Sequence, residues 1–146
     1  MLSILETIRR HDSLRGFNAA VKVAAAETMF SGSALTVFAP HDHAFARLSE
    51  DLLDVFFARP ELLSDLIAHH VLPSRIGSAE LYILSAIPTL GSSILLPSSC
   101  RSFPAVSKAR ITAPDIVCSN GIVHIIDGVL IPKILAKSAP SLAAML

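Results

Sequence analysis

Several groups of side chains have the types and spacing that chemistry could use. In SNGIVHIIDGVLIP, Ser119 to Pro132, His124 and Asp127 stand three residues apart inside an otherwise apolar run. His41, Asp42 and His43 are consecutive, and imidazole and carboxylate are ordinary ligands of zinc or copper. His69 and His70 close an apolar stretch, and Cys100 and Cys118 are the two cysteines of the chain. Along an extended strand, Ile122, His124 and Ile126 share one face while Val123, Ile125 and Asp127 share the other. Direct pairing of His124 with Asp127 would therefore need a bulge, for which Gly128 offers a place. The simpler reading is structural, with a buried imidazole or carboxylate bonded to loop backbone and Asp127-Gly128 closing a turn.

The other groups divide in the same way. His41 and His43 straddle a strand-to-helix turn with no assured third ligand, and cap residues account for the same letters, so no metal is assigned. His70 reads as a satisfied core or interface histidine near a helix C-terminus, where imidazoles interact with unpaired carbonyls. Of two consecutive helical residues one generally faces the core while its neighbour faces solvent. There is no G-x-S-x-G elbow, no Gly-rich phosphate loop and no H-E-x-x-H, so no catalytic residue is assigned. Two cysteines are too few for a disulfide framework. Cys118 reads as a small core residue and Cys100, in PSSCRS, as an exposed one, with a bridge between them left open.

The elements that must hold these residues follow from periodicity. ILETIRR and LRGFNAAVKVAAAETMF repeat apolar residues at three and four, and the Ala-rich part favours helix. ALTVFAP reads as a buried strand ended by Pro40, after which a helix restarts with Asp42 as the available cap for HAFARL. SEDLLDVFFARPELLSDLIAHHVL continues as helix broken near Pro60, with Glu61 and Asp65 placed as first-turn acids, and Pro73 stops it. Beyond lie short β-like pieces, PTLGSSILL, ARITAPDIVC and IVHIIDGVLI. LLPSSCRSFPAVS reads as a loop or irregular edge strand because Pro97 and Pro104 each remove a ladder donor. Asn120-Gly121 predicts a hairpin pairing DIVC with IVHIID through a type I′ turn with positive φ at both residues, Asn120 adding side-chain hydrogen bonds. Helices first and strands afterwards give an α+β fold.

Composition narrows the function classes. The 146 residues make one domain, and 12 Lys+Arg against 12 Asp+Glu leave no basic footprint for nucleic acid. A hydrophobic share of 52% and a mean hydropathy of +0.60 predict an aliphatic core and an apolar patch or cleft. No run approaches the roughly 20 apolar residues of a membrane span, and Glu6, Arg9 and Arg10 interrupt the N-terminus too early for a signal-peptide core. A precursor's removed signal would leave the same chain. The apolar end, KILAKSAPSLAAML, reads as a frayed tail or a docking segment for weak self-association.

Three ordered stretches together resemble the fasciclin (FAS1) domain family. LTVFAPHDHAFARL is similar to its first signature, LIAHHVLP to its Tyr-His motif and SNGIVHIIDGVLIP to its second signature. His69 stands where the family has Tyr, and His41 where it has Thr. The resemblance implies a FAS1 fold, with N-terminal helices packed around a wedge of short strands and a C-terminal β-hairpin, spanning residues 1–137 with an apolar tail at 138–146. It implies a non-enzymatic adhesion or extracellular interaction module, secreted or surface-anchored, with no cofactor and with protein, matrix or polysaccharide partners. It places the structural motif on Thr36, Phe38, Pro40, Asp42, Phe45, Asn120, Gly121, His124, Asp127 and Pro132, and the binding segment on His69, His70, Val71, Leu72 and Pro73, with His69 and Leu72 as a candidate exposed recognition edge. The alternative is a carrier of small apolar ligands, using a cleft between helices and sheet.

Overall fold

The computed structural model describes residues 1–81, 87–90, 94–95, 97–100, 103–106 and 109–131. Helices α1 (Ile4–Arg10) and α2 (Arg15–Val23) and a 3-10 turn (Glu27–Phe30) lead into strand β1 (Leu35–Pro40). Helices α3 (Asp42–Ala46), α4 (Glu50–Ala58) and α5 (Pro60–Ala68) follow, then strand β2 (Val71–Leu72) and the single turn α6 (Ser78–Leu81). Strands β3 (Ile87–Pro88), β4 (Ile94–Leu95), β5 (Pro97–Cys100), β6 (Phe103–Val106), β7 (Ala109–Cys118) and β8 (Gly121–Ile126) complete the described chain. The arrangement is α+β.

A six-stranded sheet in the order β2-β1-β8-β7-β6-β5 is the frame, with β3 and β4 paired separately. β1 runs parallel to β8, from Leu35 opposite Gly121 to Pro40 opposite Ile126, and antiparallel to β2. Every residue of β1 and β8 is buried, as their unbroken apolar runs require of strands covered on both faces. Val37, Ala39, Val123 and Ile125 join the main core with Ile8, Phe17, Phe30, Phe56 and Leu63 from the helices. Phe38 and Ile126 join a smaller core with Leu72, Ile76, Leu81, Ile111 and Leu130. Phe17 and Phe30 meet edge to face at 6.3 Å, a favoured aromatic geometry.

The local chemistry departs from the expected pattern at identifiable residues. α2 ends at Val23 because Ala25 takes a left-handed φ of 51°. The Ala25 and Ala26 amides donate to the Lys22 and Val21 carbonyls at 3.1 and 3.0 Å, a Schellman cap that stops the alanine run. Asp42 does not cap its own helix. His41 is the N-cap of α3, its Nδ1 accepting the His43 amide at 3.0 Å, while Asp42 Oδ1 accepts the Gly16 amide at 2.7 Å and so caps α2 from across the fold. Glu61 lies in the first turn of α5 behind Pro60 at its start, but Asp65 lies deeper in the helix. Ser3 and Glu6 form a reciprocal capping box at the start of α1, an S-x-x-E pattern open to view in the sequence.

The hairpin forms as expected, with Cys118 opposite Gly121, but not through a type I′ turn at Asn120-Gly121. Ser119 and Asn120 make the turn, and neither Asn120 nor Gly121 has positive φ. Gly121 is needed for close approach instead: a Cβ there would overlap the Leu35 carbonyl oxygen and lie 2.8 Å from Ile4 Cδ1. Pro97 and Pro104 sit within a regular antiparallel hairpin, β5 with β6, that extends the sheet at its edge. Cys118 is a free buried thiol, its Sγ 3.3 Å from Thr7 Oγ1, and the side chain of Cys100 lies outside the described residues.

Two substitutions test this account by urea unfolding. Ala25→Gly relieves the left-handed cap and raises stability by about 1 kcal/mol. Gly121→Ala drives a methyl into the β1 backbone and lowers stability by about 3 kcal/mol. A neutral result at either position contradicts the geometry assigned to it.

Candidate functional site

The motif residues converge on one structural task, fixing the segment that follows β2. Thr36, buried in β1, donates through Oγ1 to the Ser74 carbonyl at 2.6 Å and accepts the Ile76 amide at 2.7 Å. His124, fully buried in β8, donates from Nε2 to the Ile76 carbonyl at 2.9 Å and accepts the Asp115 amide on Nδ1 at 3.0 Å. Its ring stacks on Phe38, its register partner, with centroids 5.4 Å apart. Asp115, held at φ 57° in the irregular stretch of β7, accepts the Ser78 amide at 2.9 Å and the Ser78 hydroxyl. That hydrogen bond from Ser78 leads in holding the Asp115 carboxyl below the usual carboxylate range. Pro73, Ser74, Arg75, Ala79 and Glu80 are exposed around these anchors.

The expected exposed edge at His69 and Leu72 is not there. His69 retains 5% of its surface and Leu72 none, because Leu72 pairs with Thr36 in the sheet and His69 closes α5 against the core. Val71 is equally buried in β2, so Pro73 is the first exposed residue of the segment His69 to Pro73. His70 is 1% exposed; its Nδ1 donates to the Leu66 carbonyl at 2.7 Å and its Nε2 accepts the Leu130 amide at 2.9 Å. Burial lowers the pKa of His69 to about 4 and that of His70 to about 3, and lowers that of His124 as well. Neutral imidazole suits His70 and His124, since each uses one nitrogen as donor and the other as acceptor.

His124 and Asp127 do not meet, as the alternation requires. Asp127 Oδ1 accepts the Arg110 amide at 2.8 Å and Oδ2 faces Arg110 Nε at 3.3 Å, closing the turn after β8 onto the start of β7. Asn120 Oδ1 accepts the Ile4 amide at 2.9 Å, and its Nδ2 donates to the Phe30 and Gly32 carbonyls at 2.7 and 3.0 Å. Phe45 packs against the main core beside Gly16, and Pro40 ends β1. Pro132, the tail 138–146 and its proposed self-association lie outside the described residues. The rings of His41 and His43 meet at a tilt with centroids 4.5 Å apart, and among the described residues no cluster of His, Cys, Asp and Glu is built to hold a metal ion. Phe17, Phe45, Leu63, Leu66, Ile67, His70 and their neighbours line an apolar cleft of about 10 Å³, room for one water rather than for a carried ligand.

Sequence reasoning missed Asp115, Ser78 and Ile76. Asp115 carried a signal, a Pro-Asp pair inside a strand pattern, which marks a break in the ladder. Ile76 contributes only backbone atoms, and no side-chain pattern announces that.

The architecture defines a small α+β wedge with a buried histidine network under an exposed turn, and comparison with known proteins assigns it. The fasciclin domain model matches residues 12–132, and the chain belongs to that family. It is 29% identical over 144 residues to the transforming growth factor-beta-induced protein ig-h3 of Sus scrofa, covering 97% of this chain and 21% of that protein. It is 30% identical over 135 residues to a fasciclin-like arabinogalactan protein of Cercospora beticola, covering 91% of this chain and 32% of that one. The chain thus spans about a fifth to a third of these relatives. A solved FAS1 domain pair from the insect cell adhesion molecule Fasciclin I superposes with a TM-score of 0.64 at 18% identity, over 81% of this chain and 45% of that one, which shows the fold. Among the described residues no helix is long and apolar enough to cross a membrane.

The buried histidines make stability depend on pH with a definite sign. His70 titrates near its ordinary 6.5 when unfolded and at about 3 when folded, so the unfolded chain gains protons first and stability falls as pH drops from about 6.5 towards 3. Between pH 7 and pH 5, His70 alone removes about 2 kcal/mol. Urea midpoints read this loss, and midpoints that stay level over that range contradict a neutral buried His70.

Proposed function

We propose that this domain is a non-enzymatic interaction module of the extracellular space or cell surface, binding protein, matrix or polysaccharide partners. Its contact surface is the exposed turn from Pro73 to Glu80, rather than the buried face of His69, Val71 and Leu72. The observation that carries this reading is the anchoring of the turn: Thr36, His124 and Asp115 spend buried or strained polar groups to hold it. A rigid turn loses less freedom on binding than a mobile one, which is what a recognition loop needs. Membership of the fasciclin family supports the adhesive role, as do relatives whose names describe an adhesion molecule and an arabinogalactan protein. The domain runs over residues 1–137, with 138–146 as a tail. Both nitrogens of His124 and of His70 are committed to backbone partners, which leaves neither as a proton-transfer group.

Arg75 and Glu80 are exposed and contribute nothing to the core. Cell attachment to the immobilised domain falls about tenfold in an Arg75→Glu, Glu80→Arg variant whose thermal unfolding matches the parent, the scale of one lost recognition contact. Attachment equal to the parent's removes the turn as the contact surface. Attachment of neither protein, across cells and matrix preparations, removes the adhesive role itself.

A further inference from the structure

Asn120-Gly121 leaves chemistry unused by the fold or by the proposed binding surface. An asparagine followed by glycine is intrinsically prone to deamidation, because the glycine amide nitrogen meets no side chain as it attacks the asparagine carboxamide. In that step the Gly121 nitrogen loses its proton to hydroxide and forms a bond to Asn120 Cγ. Water protonates Nδ2 of the tetrahedral adduct, returning hydroxide, and the Cγ–Nδ2 bond breaks, so that ammonia leaves and a cyclic succinimide remains. Water then opens the ring at either carbonyl, giving aspartate or isoaspartate. The chain contains one other asparagine, Asn18, followed by alanine, and no glutamine, so the reaction has a built-in comparison.

In the folded domain the reacting groups are held apart from this path. Both ends of the Asn120 carboxamide are occupied, Oδ1 by the Ile4 amide at 2.9 Å and Nδ2 by the Phe30 and Gly32 carbonyls at 2.7 and 3.0 Å. The Asn120 carbonyl accepts the Leu35 amide at 3.1 Å, and the side of Gly121 that lacks a Cβ is filled by the Leu35 carbonyl. Carboxamide rotation and succinimide closure require α1 and the segment 30–35 to lift away from the hairpin. Neither product can restore the closed state. An aspartate still accepts from Ile4 but turns oxyanions towards two carbonyls that need a donor. An isoaspartate adds a backbone methylene to a two-residue turn whose register places Cys118 opposite Gly121.

We propose that Asn120 is a site of spontaneous deamidation gated by docking of the N-terminal helix and the 30–35 segment, so that each long opening of this end of the domain can be recorded irreversibly.

The test follows ammonia loss at Asn120 by peptide mass mapping during incubation of the intact chain in mildly alkaline buffer, folded and in urea. Modification in the folded protein is expected to be at least about tenfold slower than in urea, because it must await local opening. Ser3→Ala removes the cap of α1 without touching the dipeptide and should speed the reaction in the folded protein about fivefold, the opening expected for one lost N-cap. Deamidated chains, and an Asn120→Asp variant, should unfold at lower urea than the parent. Equal rates folded and unfolded, a Ser3→Ala rate equal to the parent's, faster reaction at Asn18, or an Asn120→Asp variant as stable as the parent would each overturn the proposal.

Discussion

The parallel pairing of β1 with β8 is the constraint on which the rest of the domain depends. It joins the first signature to the second, buries both strands on both faces, and leaves no room for a side chain at Gly121. Helices cover one face with a large apolar core. The other face carries a smaller core, and among the described residues the irregular backbone between β2 and α6 lies over it. Irregular backbone over a buried face brings amides and carbonyls that need partners, and leaving one unpaired costs about 1–3 kcal/mol. Thr36 and His124 lie on that face because they meet this need.

Histidine suits this position for a definite reason. As a neutral ring it offers one donor and one acceptor on opposite edges of a flat apolar body. His124 can therefore stack on Phe38 while joining Ile76 to Asp115, and His70 joins Leu66 to Leu130 in the same way beneath Phe17. Both rings bridge segments remote in sequence. A carboxylate could accept but not donate, and an aliphatic residue would leave backbone groups unpaired. The polar letters within the apolar signatures are thus joints between backbone segments.

Much of the fold was legible. The buried strand at ALTVFAP, the helix break at Pro60, the hairpin pairing and the α+β order all follow from periodicity and punctuation, and the three signatures identified the family. What was not legible depended on partners distant in sequence. Asp42 looked like the cap of the helix it begins, yet it caps α2; His41 took the nearer position because its Nδ1 reaches the His43 amide. Gly121 looked like a turn glycine, but its reason is the Leu35 backbone of another strand. The alanine run favours helix by propensity, yet a local cap with Ala25 in the left-handed region ended it at Val23 all the same. At the site, alternation separated His124 from Asp127 correctly, whereas the burial of both His69 and Leu72 required knowing that β2 enters the sheet.

The sheet order also sets the timetable of folding. β1 is made early in synthesis, but its parallel neighbour is the last of the described strands to be made, after β2 to β7, so the central pair closes a loop that contains most of the domain. Contacts of such long sequence separation slow folding, and they cannot form until β8 has left the ribosome. Until then the most apolar strand of the N-terminal half has an open edge. In a protein carrying several such domains in series, each nascent copy would present that edge beside its neighbour's, and the order of closure would decide whether each strand finds its own partner or the next domain's.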